Sequence, residues 1–77
     1  MPRKLTDKQL IKIGSKILYY RRIRKMTQLE LATAVGISES YLSKIERGKN
    51  NSISSLGIFL NIVKELNVKI EDIIEDI

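Results

Sequence analysis

Apolar residues along this chain recur at helical spacing from end to end, and no run of strict alternation marks a strand. Five helices emerge. The opening MPRK, within residues 1–5, reads as a short, basic, mobile arm. Helix 1 starts at Thr6-x-x-Gln9, a capping box, with Leu5 and Leu10 placed as its hydrophobic staple. Its apolar face follows Leu10, Ile13, Ile17 and Tyr20. It is predicted to run to about Arg24 and turn through Lys25-Met26, with Met26 dropping into the core. Helix 2 covers Gln28–Val35 and buries Leu31, Ala32 and Val35; helix 3 covers Glu39–Arg47 and stops at Gly48. Lys49-Asn50-Asn51-Ser52 has loop chemistry. Helix 4 is predicted from near Ser54 through Leu56, Phe59, Leu60, Val63 and Leu66, despite Gly57, with Asn67 ending it in a left-handed conformation. Helix 5, about Ile70–Asp76, carries Ile70, Ile73, Ile74 and Ile77. The fold class is all-α, a single domain over residues 1–77.

The strongest local signals lie between Thr27 and Gly48. Thr27-x-x-Glu30 is a second capping box, and Gly36 sits where a helix must stop with positive φ. Ser38 can cap the next helix, flanked by Ile37 and Leu42 at staple spacing. Two short helices joined this way form a helix-turn-helix unit, whose second helix matches the size of a DNA major groove.

Composition narrows the chemistry. The chain has 77 residues, no Cys and no His. Disulfide frameworks, Cys/His zinc sites and His-dependent nucleophilic catalysis are therefore excluded. No paired-carboxylate cleft or phosphate-cradling Gly loop is evident, so an enzyme, a metal or a cofactor is not expected. No apolar run approaches the roughly 20 residues of a membrane span, and nothing resembles a signal peptide, so no membrane partner is expected and the expected location is the cytoplasm. The net charge of +5 is unevenly spread. Residues 1–50 hold twelve Lys/Arg against four Asp/Glu, whereas residues 51–77 hold two against five. Such polarity fits a basic half that meets a polyanion and an acidic half held away from it, although charge runs are also ordinary solvated faces.

On helix 3, Leu42 and Ile45 mark the buried side. Opposite them stand Ser40 and Arg47, flanked by Ser43 and Lys44, with Glu39 at one margin. Small hydroxyls let a helix approach the groove floor, and amines and guanidinium groups can then meet guanine or phosphate. The alternative is the plain polar face of a surface helix.

In IGSKILYYRR, MTQLELATAVGIS, SYLSKIERGK and VKELNVKIEDII, the chain resembles the Cro/repressor-like, XRE-type helix-turn-helix regulators. The resemblance runs from about Ile13 to Ile74, and the tail is more loosely similar to small controller-type repressors. It implies a compact five-helix, lambda-repressor-like domain, a homodimer, double-stranded DNA as partner and a repeated or palindromic operator. By the same resemblance, Ser38, Glu39, Ser40, Ser43 and Lys44 take base-reading or groove-lining positions. Gln28, Tyr41, Arg47, Lys49, Asn50 and Asn51 fall where the phosphate backbone is met, and Arg21 with Glu46 matches a structural salt bridge. Two of these positions have a plainer role: Gln28 as an exposed residue near a cap, and Tyr41 as a ring packed beside the core.

The chain departs from the family pattern after Gly48, where the connection is two residues longer and lacks the usual Pro. Lys69 stands where Ser or Thr would cap helix 5 better. Glu39 replaces the common Gln or Arg; it either accepts from cytosine N4 or simply suits the helix dipole. Ile70, Ile73, Ile74 and Ile77 carry more aliphatic surface than one short terminal helix readily buries, which marks helices 4 and 5 (about 54–76) as a dimer seam. The expected function is a sequence-specific DNA-binding transcriptional regulator, a dimeric repressor or autoregulator. The alternative is a protein-interaction module, such as an antitoxin or anti-repressor, on the same fold. No small-molecule ligand is evident.

Overall fold

Two capping boxes start the first two helices as their spacing requires. The Thr6 hydroxyl oxygen accepts from Gln9 N–H (3.1 Å) while the Gln9 side-chain oxygen accepts from Thr6 N–H (2.9 Å). Thr27 and Glu30 repeat the exchange at 3.0 and 2.7 Å. In the computed structural model, which describes residues 5–49 and 55–75, the elements are α1 (Asp7–Ile23), α2 (Gln28–Val35), α3 (Glu39–Glu46), α4 (Leu56–Leu66) and α5 (Ile70–Ile74). No strand occurs among the described residues, and no helix of the structure is long and apolar enough to cross a membrane. The expectations placed on residues 1–4, Asn50, Asn51, Ser52, Ser54, Asp76 and Ile77 lie outside the described residues.

The Thr27 backbone N–H, aided by the Thr27 side chain, holds the Glu30 carboxyl below its ordinary value of 4.5. A lowered folded pKa means the ionised carboxylate favours the folded state. That contribution is complete above the unfolded value and lost as pH falls through the folded one. Glu30→Gln, which keeps an acceptor but cannot ionise, is expected to remove this step from a plot of unfolding free energy against pH in the acid range.

Helix ends repeat one device. Lys25, Gly36, Gly48 and Asn67 all adopt positive φ. Each following residue donates its N–H back across the last turn: Met26 to Arg21 O, Ile37 to Ala32 O, Lys49 to Lys44 O and Val68 to Val63 O, at 2.9–3.4 Å. This is the Schellman arrangement, which satisfies carbonyls the helix itself leaves unpaired. Met26, Ile37 and Val68 pack against the core, so each turn is locked by an apolar contact. Lys49 alone is exposed.

The core gathers Ile13 and Ile17 from α1, Leu31 and Ala32 from α2, Leu42 and Ile45 from α3, and Phe59, Ile62, Val63 and Leu66 from α4. Ile73 of α5 completes it with no exposed surface. Ile73 is therefore removed from the expected dimer face: its side chain is spent inside the subunit. Ile70 is half-buried against the core, and Ile74 is exposed. On α4, Ile62 faces inward, whereas Leu56 and Leu60 lie outside. Boundaries shift slightly. Arg47 is the cap of α3 and not its last residue, and α4 begins at Leu56 behind Ser55, whose hydroxyl accepts from Ile58 N–H (3.2 Å). At Lys69, the missing hydroxyl cap is half replaced by Asp72, whose carboxylate accepts the Lys69 N–H (3.0 Å).

Glycines let α1 and α3 approach closely. A Cβ on Gly14 would overlap Ile45 O and stand 2.7 Å from Glu46 O; one on Gly48 would stand 2.7 Å from Ile11 Cα. Arg24 fastens α4 to the same frame, donating from Nε to Leu66 O (2.8 Å) and from Nη2 to Asn67 O (3.0 Å). A cation on the last carbonyls of a helix satisfies them and suits the dipole.

Candidate nucleic-acid interface

The second helix of the motif is held from behind. Leu42 and Ile45 are buried, and Glu46, also buried, lies beside them toward α1. Three N–H groups converge on the Glu46 carboxylate: Arg21 Nε on Oε2 (2.7 Å), Arg21 Nη2 on Oε1 (3.2 Å) and Gln28 Nε2 on Oε1 (3.0 Å). Arg21 Nη1 also donates to Met26 O (2.9 Å). One buried carboxylate thus joins the end of α1, the turn after it, the first residue of α2 and the last residue of α3. A bidentate guanidinium–carboxylate pair fixes orientation as well as distance.

With that side anchored, the opposite face is left free. At about 100° per residue, Ser40, Ser43, Lys44 and Arg47 share one arc of α3. Ser40, Lys44 and Arg47 are exposed and Ser43 is half-exposed; none is packed under another element. Glu39 is exposed at the margin. The Ser38 oxygen accepts from Tyr41 N–H (3.0 Å), so this hydroxyl caps the helix and keeps its proton and a second lone pair for an outside partner. Arg47 bends back, its Nε donating to Ser43 O (3.3 Å), which leaves the outer guanidinium nitrogens at the end of the helix.

The remaining expected contacts fall around this arc. Tyr41 is half-buried with its ring against the core. Gln28 is half-buried, and its amide has one N–H on Glu46 and a second left for a ligand. Its position at the start of α2 places that amide beside unpaired helix N–H groups, which favour an anion. Lys49 projects where the three equivalent turn residues are half-buried against the core. A Schellman turn that exposes a cation in place of an apolar plug forgoes a packing contact.

The sequence did not reveal that Gln28 binds Glu46, nor that Arg24 closes α4. Neither pairing has a local spacing rule, because the partners are 18 and 42 residues apart. Gly14 did carry a signal: a glycine inside a long helix is unfavourable by roughly 1 kcal/mol and usually marks close packing. Among the described residues, no group of three or more His, Cys, Asp or Glu is placed to hold a metal ion.

Comparison with known proteins places this geometry among relatives. A helix-turn-helix family model matches residues 17–73. An uncharacterized HTH-type transcriptional regulator of Methanocaldococcus jannaschii is 41% identical over 59 residues, which cover 77% of this chain and 86% of that protein. The immunity repressor protein of Bacillus phage phi105 is 44% identical over 45 residues, 57% of this chain and 31% of that protein. In three dimensions the chain is similar to the restriction-modification controller protein C.AhdI from Aeromonas hydrophila. The TM-score is 0.77 at 27% identity, over 86% of this chain and 97% of that one.

Proposed function

The chain belongs to the Cro/repressor-like, XRE-type helix-turn-helix family of DNA-binding transcriptional regulators, and from that premise we propose that it is a dimeric repressor or autoregulator that reads a palindromic operator with α3. The observation that carries this reading is the free polar arc of α3, backed by a buried, hydrogen-bonded anchor. Ser38, Glu39, Ser40, Ser43 and Lys44 line the groove. Gln28, Tyr41, Arg47 and Lys49, with Asn50 and Asn51 beyond the turn, meet the phosphates on either side. Phosphate contacts supply most of the affinity and make it salt-dependent, while contacts to base edges supply preference.

The domain is a single unit in which α4 and α5 form the dimer seam. The exposed apolar residues there are Leu56, Leu60 and Ile74, with Ile70 at the edge. A two-fold pair through this surface would set two copies of α3 about one DNA turn apart, roughly 34 Å. Regulation is by occupancy: the bound dimer excludes or recruits polymerase on DNA in the cytoplasm.

The test compares binding to a site selected from random duplexes with binding to random DNA, by fluorescence anisotropy. Ser40→Ala combined with Lys44→Ala is expected to weaken the selected site at least ten-fold and random DNA far less. Lys49→Ala is expected to weaken both alike and to lower the salt slope by about 0.9. Equal losses on both duplexes for both variants would reject α3 as the reading element.

A further inference from the structure

We propose that the outer face of α1 is a docking surface for an acidic, apolar-faced helix of another protein. Each of Ile11, Ser15, Leu18, Tyr19, Arg22 and Ile23 stands three or four residues from another of the set, so they form one stripe. It lies opposite the buried row of Leu10, Ile13, Gly14 and Ile17. Ile11, Tyr19 and Ile23 are 52%, 59% and 47% exposed. Ser15, Leu18, Tyr19, Arg22 and Ile23 border an open groove of about 390 Å³. From Ile11 to Ile23 the stripe extends roughly 18 Å, about three turns of a helix laid along it.

Neither surface already assigned covers this face. The α3 backbone lies against Gly14 and the Gly48 turn against the backbone of Ile11, and α5 reaches the margin of the stripe where Glu75 meets Lys16 (3.6 Å), three residues before Tyr19. The exposed apolar residues of α4 and α5 (Leu56, Leu60, Ile74) and the polar arc of α3 include none of the stripe's residues. The proposal therefore stands independently of DNA reading.

Charge selects the occupant. Lys8 and Arg22 flank the stripe and make no ion pair among the described residues, and Asp7 is the only acid in α1. A second copy of the same face would set cations against cations. A duplex could use Arg22 and the hydroxyls but would leave Ile11, Leu18 and Ile23 without an apolar partner. A helix with apolar residues at i, i+3, i+4 and i+7, edged by Asp or Glu, satisfies both the groove and the cations. Tyr19 is already held edge-on to Tyr20, with ring centroids 5.1 Å apart at 76°. Such an aromatic loses little freedom on binding, as an interface anchor should.

The experiment is display selection of a random library of amphipathic helical peptides against the intact, DNA-free protein. Enriched peptides are expected to carry an apolar stripe bordered by Asp or Glu. Their affinity is expected to fall at least ten-fold on Ile23→Asp, with melting temperature and DNA binding unchanged. Arg22→Glu is expected to shift the selected peptides toward Lys and Arg. Ser15→Arg, which blocks the groove without removing apolar surface or adding an acid, is expected to abolish binding as well. The proposal is overturned if no peptide is enriched, if the winners are basic, or if they bind Ile23→Asp and Ser15→Arg as before. It is equally overturned if Ile23→Asp changes the oligomeric state, which would make the face a self-contact, or if duplex DNA displaces the peptides.

Discussion

Replacing Gly14 by Ala is expected to destabilise the fold by about 3 kcal/mol or more, although Ala is the better helix former. The added methyl would overlap Ile45 O and crowd Glu46 O and its carbonyl carbon. These are backbone atoms of α3, which cannot rotate aside like a flexible side chain, so the two helices must separate. Separation would also loosen Gly48 from Ile11 and disturb the Glu46 network. For a domain of this size, such a loss lowers the melting temperature by roughly 12 °C or more. Gly57 provides the control: among the described residues, its added Cβ would meet only Ser55 Oγ within 4 Å, at 3.7 Å. There Gly→Ala is expected to stabilise by about 0.5–1 kcal/mol. Thermal melts of the two variants should move in opposite directions.

Arg21→Ala is expected to cost about 3–5 kcal/mol. Arg21 donates two of the three hydrogen bonds on Glu46, and that carboxylate side chain is only 4% exposed. Its removal leaves a charge buried with a single amide donor and strips Met26 O of its partner. Removing both charges together, as Arg21→Met with Glu46→Leu, is expected to recover most of the loss, because an apolar pair of similar volume avoids the desolvated charge. Denaturant titrations of the wild type, Arg21→Ala and the double variant would separate these effects. The double variant should still bind DNA more weakly than the wild type, since Gln28 would lose the carboxylate that orients its amide.

The helices were legible where local chemistry decides the backbone. Thr6, Thr27 and Ser38 announce helix starts, and Gly36, Gly48 and Asn67 announce ends, because a cap needs a side-chain oxygen and a left-handed turn tolerates few residues. Lys25 adopts the same left-handed conformation with no such signal. There the turn was legible from Met26 instead, an apolar residue expected to drop into the core, against which it packs. The inward face of α4 was obscured by an excess of apolar residues: Leu56, Ile58, Phe59, Leu60, Ile62, Val63 and Leu66 fit more than one stripe. Only the packed structure separates Ile62, inside, from Leu56 and Leu60, outside. Helix 5 is too short for periodicity to distinguish Ile73 from Ile74.

The candidate interface was legible for a related reason. The side of α3 that must be buried contains Leu42 and Ile45, so its opposite face follows from helical geometry alone. What geometry on one helix cannot supply is the anchoring from α1 and α2, where Arg21 and Gln28 reach Glu46 across the fold.

The most direct test of α3 as the reading helix uses the absence of native cysteine, which allows one site-specific label. Ser40→Cys, carrying a short photo-crosslinker, should attach to base edges in the major groove of a bound duplex, while the same label at the exposed Glu65 on α4 should not. A Ser40 label that leaves the bases untouched in a complex of full affinity, or a Glu65 label that crosslinks as well, would contradict the assignment.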